Sequence, residues 1–262
     1  MSEPTRLYAQ AIEALNRGEW ARARTLAAPL LAQAPRHAGI HFVIGVASLQ
    51  LQQLQAALHH LQAAVAINPH RPDYATQLAR ALATGRFFRE AVAAADQAMA
   101  SSPDDAMGLD TLGIVYTQAN AHEKAARVFL RAVQLAPGQA SYRFNLATSL
   151  TFAGDVEGAA REYEACIAIE PRYWKAHLAL SQLRRQSESK NNIARLESLL
   201  PQAVGDSGGT MYLNLALSKE YEDLAQFPRA FQHLVSGKSV KGRDRGYKSD
   251  RDRSIFEALQ SS

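Results

Sequence analysis

The sequence predicts an all-α protein, a right-handed superhelix (α-solenoid) of stacked antiparallel helix pairs. Three observations predict it. Pro35, Pro69, Pro103, Pro137 and Pro171 stand 34 residues apart, each step identical. Small residues, Leu30 excepted, keep the same step in three columns: Ala11, Gly45, Ala79, Gly113, Ala147; then Ala23, Ala57, Ala91, Ala125, Ala159; then Leu30, Ala64, Ala98, Ala132, Cys166. Alanine supplies 48 of the 262 residues, and β-branched residues are few, which favours helix over sheet. A fixed period of this length marks a repeat architecture, in which a unit buries its apolar face only by stacking on its neighbours.

When the proline is counted as position 32, the units begin at Pro4, Ala38, Pro72, Ala106 and Ala140, and five regular units fill residues 1–173. The small columns are then positions 8, 20 and 27, where helices cross and a large side chain would push the backbones apart. Position 7 supplies bulk, with Ile44, Leu78, Leu112 and Leu146; Gln10 breaks it in the first unit, as an end repeat tolerates. Asn16-Arg17-Gly18 and Ala153-Gly154-Asp155 supply the turn inside a unit. The proline ends each second helix, which it cannot continue. This helix–turn–helix of 34 residues resembles the tetratricopeptide repeat (TPR).

After Pro171 the period degrades. Residues 174–204 are expected to form a degenerate repeat, with Trp174 to Arg185 as its first helix and Ile193 to Leu200 as its second. Residues 205–210 read as a loop by their glycines, 211–235 as a displaced repeat-like unit, and 236–262 as a basic linker with a helix near Asp250 to Leu259.

Composition excludes several classes. Hydrophobic residues make up 47% and the formal charge is only +4, so the chain is not disordered. Cys166 is the single cysteine, which excludes a disulfide framework and a cysteine-rich zinc module and fits a reducing compartment; the cytoplasm is the expected location. Met1 to Gln10 holds no apolar leader, and no stretch is apolar enough to span a membrane. Residues 236–253 hold seven of the 29 cations and three of the 25 acids, leaving 22 of each sign elsewhere. The basic character therefore belongs to one segment, and nucleic acid is not the expected partner of the repeats.

LALSKEYEDLAQFPRAFQHLVSGKSVKGRDRGYKSDRDRSIFEAL, Leu215 to Leu259, resembles the end of the repeat region in bacterial TPR–sulfotransferase proteins, where a last repeat of the type LGKAYEDLGDYDRAF leads into a basic linker and a short helix. IARLESLL, Ile193 to Leu200, is similar to that family's degenerate repeat, whereas Ala225 stands where Gly is usual and Pro228 enters the turn. The resemblance implies the non-catalytic repeat region of a larger enzyme, or a family member without its catalytic half; the parent reaction would transfer sulfate from 3′-phosphoadenosine 5′-phosphosulfate. No phosphosulfate loop occurs in this chain, so no cofactor and no catalytic residue are expected here; that donor enters only if a catalytic domain follows. A free-standing adaptor, and phosphate or nucleic-acid binding through the basic segment, are the alternatives.

Other motifs yield to plainer readings. Gly205-Asp206-Ser207-Gly208-Gly209 matches the surroundings of a serine-protease nucleophile, but no strand pattern or triad context accompanies it. His37 and His41 are spaced i, i+4 without a third ligand nearby, so no metal is expected. Cys166 sits in a small core column and reads as an inert thiol.

The first helices are left to form a binding wall. Positions 4, 7, 8 and 11 make the buried stripe, and positions 2, 5, 9, 12 and 13 face elsewhere. That face carries Tyr8, Ile12, Phe42, Val46, Arg80, Asp110, Ile114, Phe144, Thr148, Thr151, Phe152 and Lys175. Of these Tyr8, Phe42, Val46, Arg80, Asp110, Ile114, Phe144, Thr148 and Lys175 are the candidate peptide-binding residues. Lys and Asn do not recur in the pattern a carboxylate clamp needs, so the groove reads as amphipathic. The expected partner is a protein or peptide segment in the concave groove, or a following catalytic domain, and not a membrane.

Overall fold

The computed structural model describes residues 3–244. They form fourteen α-helices and two short 3-10 segments; among the described residues there is no strand, only an isolated bridge between Ser187 and Lys190. The chain divides into two compact bodies, Met1–Ala153 and Gly154–Ser262, so the division falls between the two helices of the fifth unit.

The first body holds α1 (Glu3–Asn16), α2 (Trp20–Ala27), α3 (Ala38–Gln50), α4 (Leu54–Ile67), α5 (Pro72–Thr84), α6 (Phe88–Ala100), α7 (Ala106–Gln118), α8 (His122–Leu135) and α9 (Ala140–Ala153). Every helix start of this body but that of α1 falls at position 1 or 17 of the 34-residue frame, and the first helices end at position 13 or 14. In the first unit Pro29, which lacks the N–H an α-helix needs, turns the end of the second helix into a 3-10 stretch, Ala28–Ala32. First helices end in a Schellman-type turn. The position 15 residue has a left-handed φ, at Gly18 (75°), Gln52 (59°), Arg86 (63°) and Asn120 (58°). The next N–H reaches back to position 11, as Gln53 does to Ser48 at 2.8 Å and Ala121 to Tyr116 at 2.8 Å.

All fifteen members of the small columns are buried or nearly so, Gly45 and Gly113 included. The packing shows a pairing between positions 8 and 24. A Cβ on Gly45 would lie 2.7 Å from Leu61 Cγ, and one on Gly113 would lie 2.5 Å from Phe129 Cε1. Where position 8 is Ala, as at Ala11 and Ala79, position 24 is Ala27 and Ala95. Across these four units volume is thus conserved at the crossing, with glycine opposite bulk and alanine opposite alanine; the fifth unit departs from this, with Ala147 at position 8 and Tyr163 at position 24.

The second body holds α10 (Val156–Ile169), α11 (Trp174–Leu183), α12 (Ile193–Leu199), α13 (Ser207–Asp223) and α14 (Phe227–Asp244). Two expectations are corrected here. Residues 205–210 are not a loop throughout: α13 begins at Ser207, because Asp206 caps it by accepting the Gly209 N–H at 2.8 Å and also accepts the Trp174 Nε1–H at 2.7 Å. The basic linker does not begin at 236, because α14 runs on to Asp244. The expected helix near Asp250 to Leu259 lies outside the described residues.

A fully buried carboxylate fastens the polar break before α12. Glu220 accepts from Ser181 Oγ at 2.6 Å, from the Asn192 backbone N–H at 2.5 Å and from Asn192 Nδ2 at 2.8 Å. Three donors compensate the desolvation that an unpaired buried charge would suffer.

Candidate functional site

In the first body each first helix touches the next, α1 with α3, α3 with α5, α5 with α7 and α7 with α9, while each second helix packs chiefly on the first helices beside it. The first helices therefore form the tighter layer, and their free face is the inner wall of this body. Tyr8, Phe42, Arg80, Asp110, Ile114, Phe144 and Thr148 all lie on these helices.

Their environments differ. Tyr8 is half-buried, edge-on to His37 with ring centroids 5.0 Å apart, and its hydroxyl rests on Gly39, where a Cβ would sit 2.0 Å from Oη. Phe42 is half-buried and stacks on Tyr74 at 4.8 Å. The Arg71 guanidinium lies 5.1 Å from the Tyr74 ring centroid and makes two bonds to Asp73, at 3.0 and 2.7 Å. Burial raises the pKa of both tyrosines. Ile114 is 41% exposed, and on the same helix Met107 is 73% exposed. Phe144 and Thr148 are half-buried, and the Thr148 hydroxyl donates to the Phe144 carbonyl at 2.9 Å.

The two candidate charges on this wall, Arg80 and Asp110, are half-buried and, among the described residues, pair with no opposite charge. Arg80 donates to Gln77 Oε1 at 3.3 Å and has no carboxylate partner among the described residues; desolvation lowers its pKa. Asp110 accepts from Asn145 Nδ2 at 2.8 Å, and burial raises its pKa against the opposing effect of that bond. A cleft of about 360 Å³ opens between α5 and α7 beside Arg80, bordered by Gln77, Met107 and Thr111. A second cleft of about 230 Å³, mostly apolar, lies beside Tyr8 between Leu30 and Ile40.

Two candidates fall elsewhere. Val46 is only 8% exposed and belongs to the core, because position 9 on α3 is covered by neighbouring helices. Lys175 is exposed on α11 in the second body. The sequence pattern missed Tyr74, Met107 and Asn145. Met107 stands at position 2 of its unit, inside the chosen face, whereas Tyr74 and Asn145 stand at positions 3 and 6, outside it.

The remaining motifs are engaged structurally. His37 Nδ1 accepts from the Ile40 N–H at 3.2 Å and caps α3. His41 Nε2 bonds to the Pro35 carbonyl at 3.0 Å while its Nδ1 lies 3.0 Å from His60 Nδ1. Cys166 is buried. Among the described residues no helix is long and apolar enough to cross a membrane.

Residues 8–72 and 76–140 match the model of a repeat family described as tetratricopeptide repeat. Several solved structures share the fold. The Pseudomonas aeruginosa pilF protein aligns with a TM-score of 0.60 at 16% identity, over 87% of this chain and 96% of that one. YrrB, described as a TPR protein with an unusual peptide-binding site, aligns with a TM-score of 0.56 at 14% identity, over 79% and 96%. A MamA fragment from Desulfovibrio magneticus RS-1 aligns with a TM-score of 0.55 at 20% identity, over 66% and 98%. No curated protein sequence matches the chain.

Proposed function

With tetratricopeptide repeats matched over residues 8–72 and 76–140 and a tetratricopeptide solenoid as its fold, we propose that the protein is a non-catalytic interaction scaffold that holds a peptide or protein segment against the first helices of its N-terminal body. One observation carries this reading. Ile114 and Met107 are exposed on the first-helix wall that also carries the Phe42–Tyr74 stack, and its charges Arg80 and Asp110 pair with no opposite charge among the described residues. Aromatic and aliphatic anchors supply most of an interface's free energy, and flanking charges set orientation. YrrB's described peptide-binding site supports the same use of the fold.

A peptide selected from a random library and measured by fluorescence anisotropy tests the proposal. Ile114→Arg places a charge on the wall without disturbing the core and abolishes binding. Undiminished binding refutes the reading.

The finer reading is that these repeats serve a sulfotransferase-family protein and that the following catalytic domain is one partner of the wall. It rests on the likeness of Leu215 to Leu259 to that family's last repeat and linker. A reading frame continuing into a glycine-rich phosphosulfate loop supports it, and a reading frame that continues without one refutes it. Binding of phosphate or nucleic acid through the basic residues of 236–253 predicts strong salt dependence instead.

A further inference from the structure

The charges of the first body show a reversal of the usual order. Arg17, Arg22 and Arg71 are exposed and Lys124 is partly exposed, yet each meets a carboxylate, at 2.6, 2.8, 2.7 and 2.8 Å. Arg80 is more buried and meets only an amide. A half-desolvated guanidinium without an anion is a costly arrangement, and exposed pairs contribute little. The other residues at its position in the repeat are Ile12, Val46, Ile114 and Thr148, so nothing in the stacking requires a cation. Arg80 also borders the 360 Å³ cleft, which has room for a side chain from outside.

We propose that the groove takes a peptide segment bearing one acidic side chain, whose carboxylate pairs with Arg80 in the cleft between α5 and α7. The assignment rests on the groove reading above and names the chemistry of its partner. A planar guanidinium forms two parallel bonds to a carboxylate, which gives the segment a fixed register. The rim limits the partner to a single acid there. Asp73 is already held by Arg71, Asp105 is exposed and caps α7 through the Gly108 N–H, and Asp104 is exposed beside it. These carboxylates repel a polyacidic tract. Asp110, one first helix further on and about 10 Å away by ordinary helix spacing, favours a basic or amide group two or three residues along an extended segment.

Selection of a random dodecapeptide library on the wild-type protein, followed by affinity measurement of the enriched peptides, tests this. The expected result is enrichment of Glu or Asp at one register position, with a basic residue nearby. Changing that Glu to Gln in the peptide, or Arg80→Met in the protein, weakens binding at least tenfold. In the Arg80→Met protein, checked for unchanged helicity, the peptide's Glu-to-Gln change has no further effect. Peptides that lose binding with Ile114→Arg but carry no acid, or that bind Arg80→Met undiminished, overturn the acidic partner and leave the groove reading intact. Peptides indifferent to Ile114→Arg, or no enriched peptides, overturn both.

Discussion

Gln97 donates its side-chain amide to the carbonyl oxygen of Pro69, 28 residues earlier, at 3.2 Å. Arg131 does the same to Pro103 at 3.0 Å from the same repeat position, 26. In the other units the donor is position 4 of the next first helix: His41 to Pro35 at 3.0 Å, Arg143 to Pro137 at 3.3 Å and His177 to Pro171 at 2.9 Å. Where position 4 is apolar, at Ala75 and Leu109, position 26 takes over. All five periodic prolines thus have a side chain on a carbonyl that the ended helix leaves unpaired. Gln97→Leu and Arg131→Met should each cost about 1 kcal/mol, and Gln134→Leu, an exposed site, much less. Urea midpoints for the three variants check the ranking.

The glycine–bulk pairing predicts a coupling. Gly113→Ala drives a methyl against Phe129 and should destabilise by about 1–3 kcal/mol. Phe129→Ala alone opens a cavity and costs about 3–5 kcal/mol. The double variant should cost clearly less than the sum, by denaturant titration, because alanine opposite alanine is the arrangement of the first and third units, at Ala11/Ala27 and Ala79/Ala95. Additive losses would mean the two sites do not share one crossing.

Ala225 holds φ at 57°, at the turn where Gly18 holds 75°. A left-handed residue with a Cβ costs about 1–2 kcal/mol, part of which glycine's greater unfolded-state freedom offsets. Ala225→Gly should therefore raise the unfolding midpoint modestly, and Ala225→Val should lower it.

Burial, with His41 and His59 nearby, pushes the pKa of His60 down to about 4. In the unfolded chain a histidine titrates near 6.5. Between those values the unfolded state binds a proton that the folded state refuses, so stability is full above about pH 6.5 and falls as pH drops toward 4. Burial lowers His177 and His233 in the same direction. Urea midpoints at pH 7.5 and pH 4.5 should differ less for His60→Gln than for wild type, without the difference vanishing.

The helices were legible because proline and small-residue columns report local geometry: what ends a helix and which side faces a neighbour. Gly45 and Leu61 lie 16 residues apart, and their complementarity appears only once the crossing is known. Gln97 reads as a surface residue, since nothing in its surroundings announces the Pro69 carbonyl beneath it. Ser207 looked like loop because Gly208 and Gly209 are poor helix formers; the Asp206 cap outweighs them. The first-helix face that carries the candidate site was legible, and the burial of its residues one by one was less so. Burial of Val46 and exposure of Met107 depend on how far each neighbouring helix overlaps, which the period does not encode.

The central claim is that the partner lies on the first helices, and methyl resonances locate it directly. Ile114 and Met107 project from the first helix α7, while Leu130 and Leu135 are exposed on the second helix α8. Titration of a selected peptide into methyl-labelled protein should shift Ile114 and Met107 and leave Leu130 and Leu135 in place. Shifts at Leu130 and Leu135 with Ile114 unmoved would contradict the account.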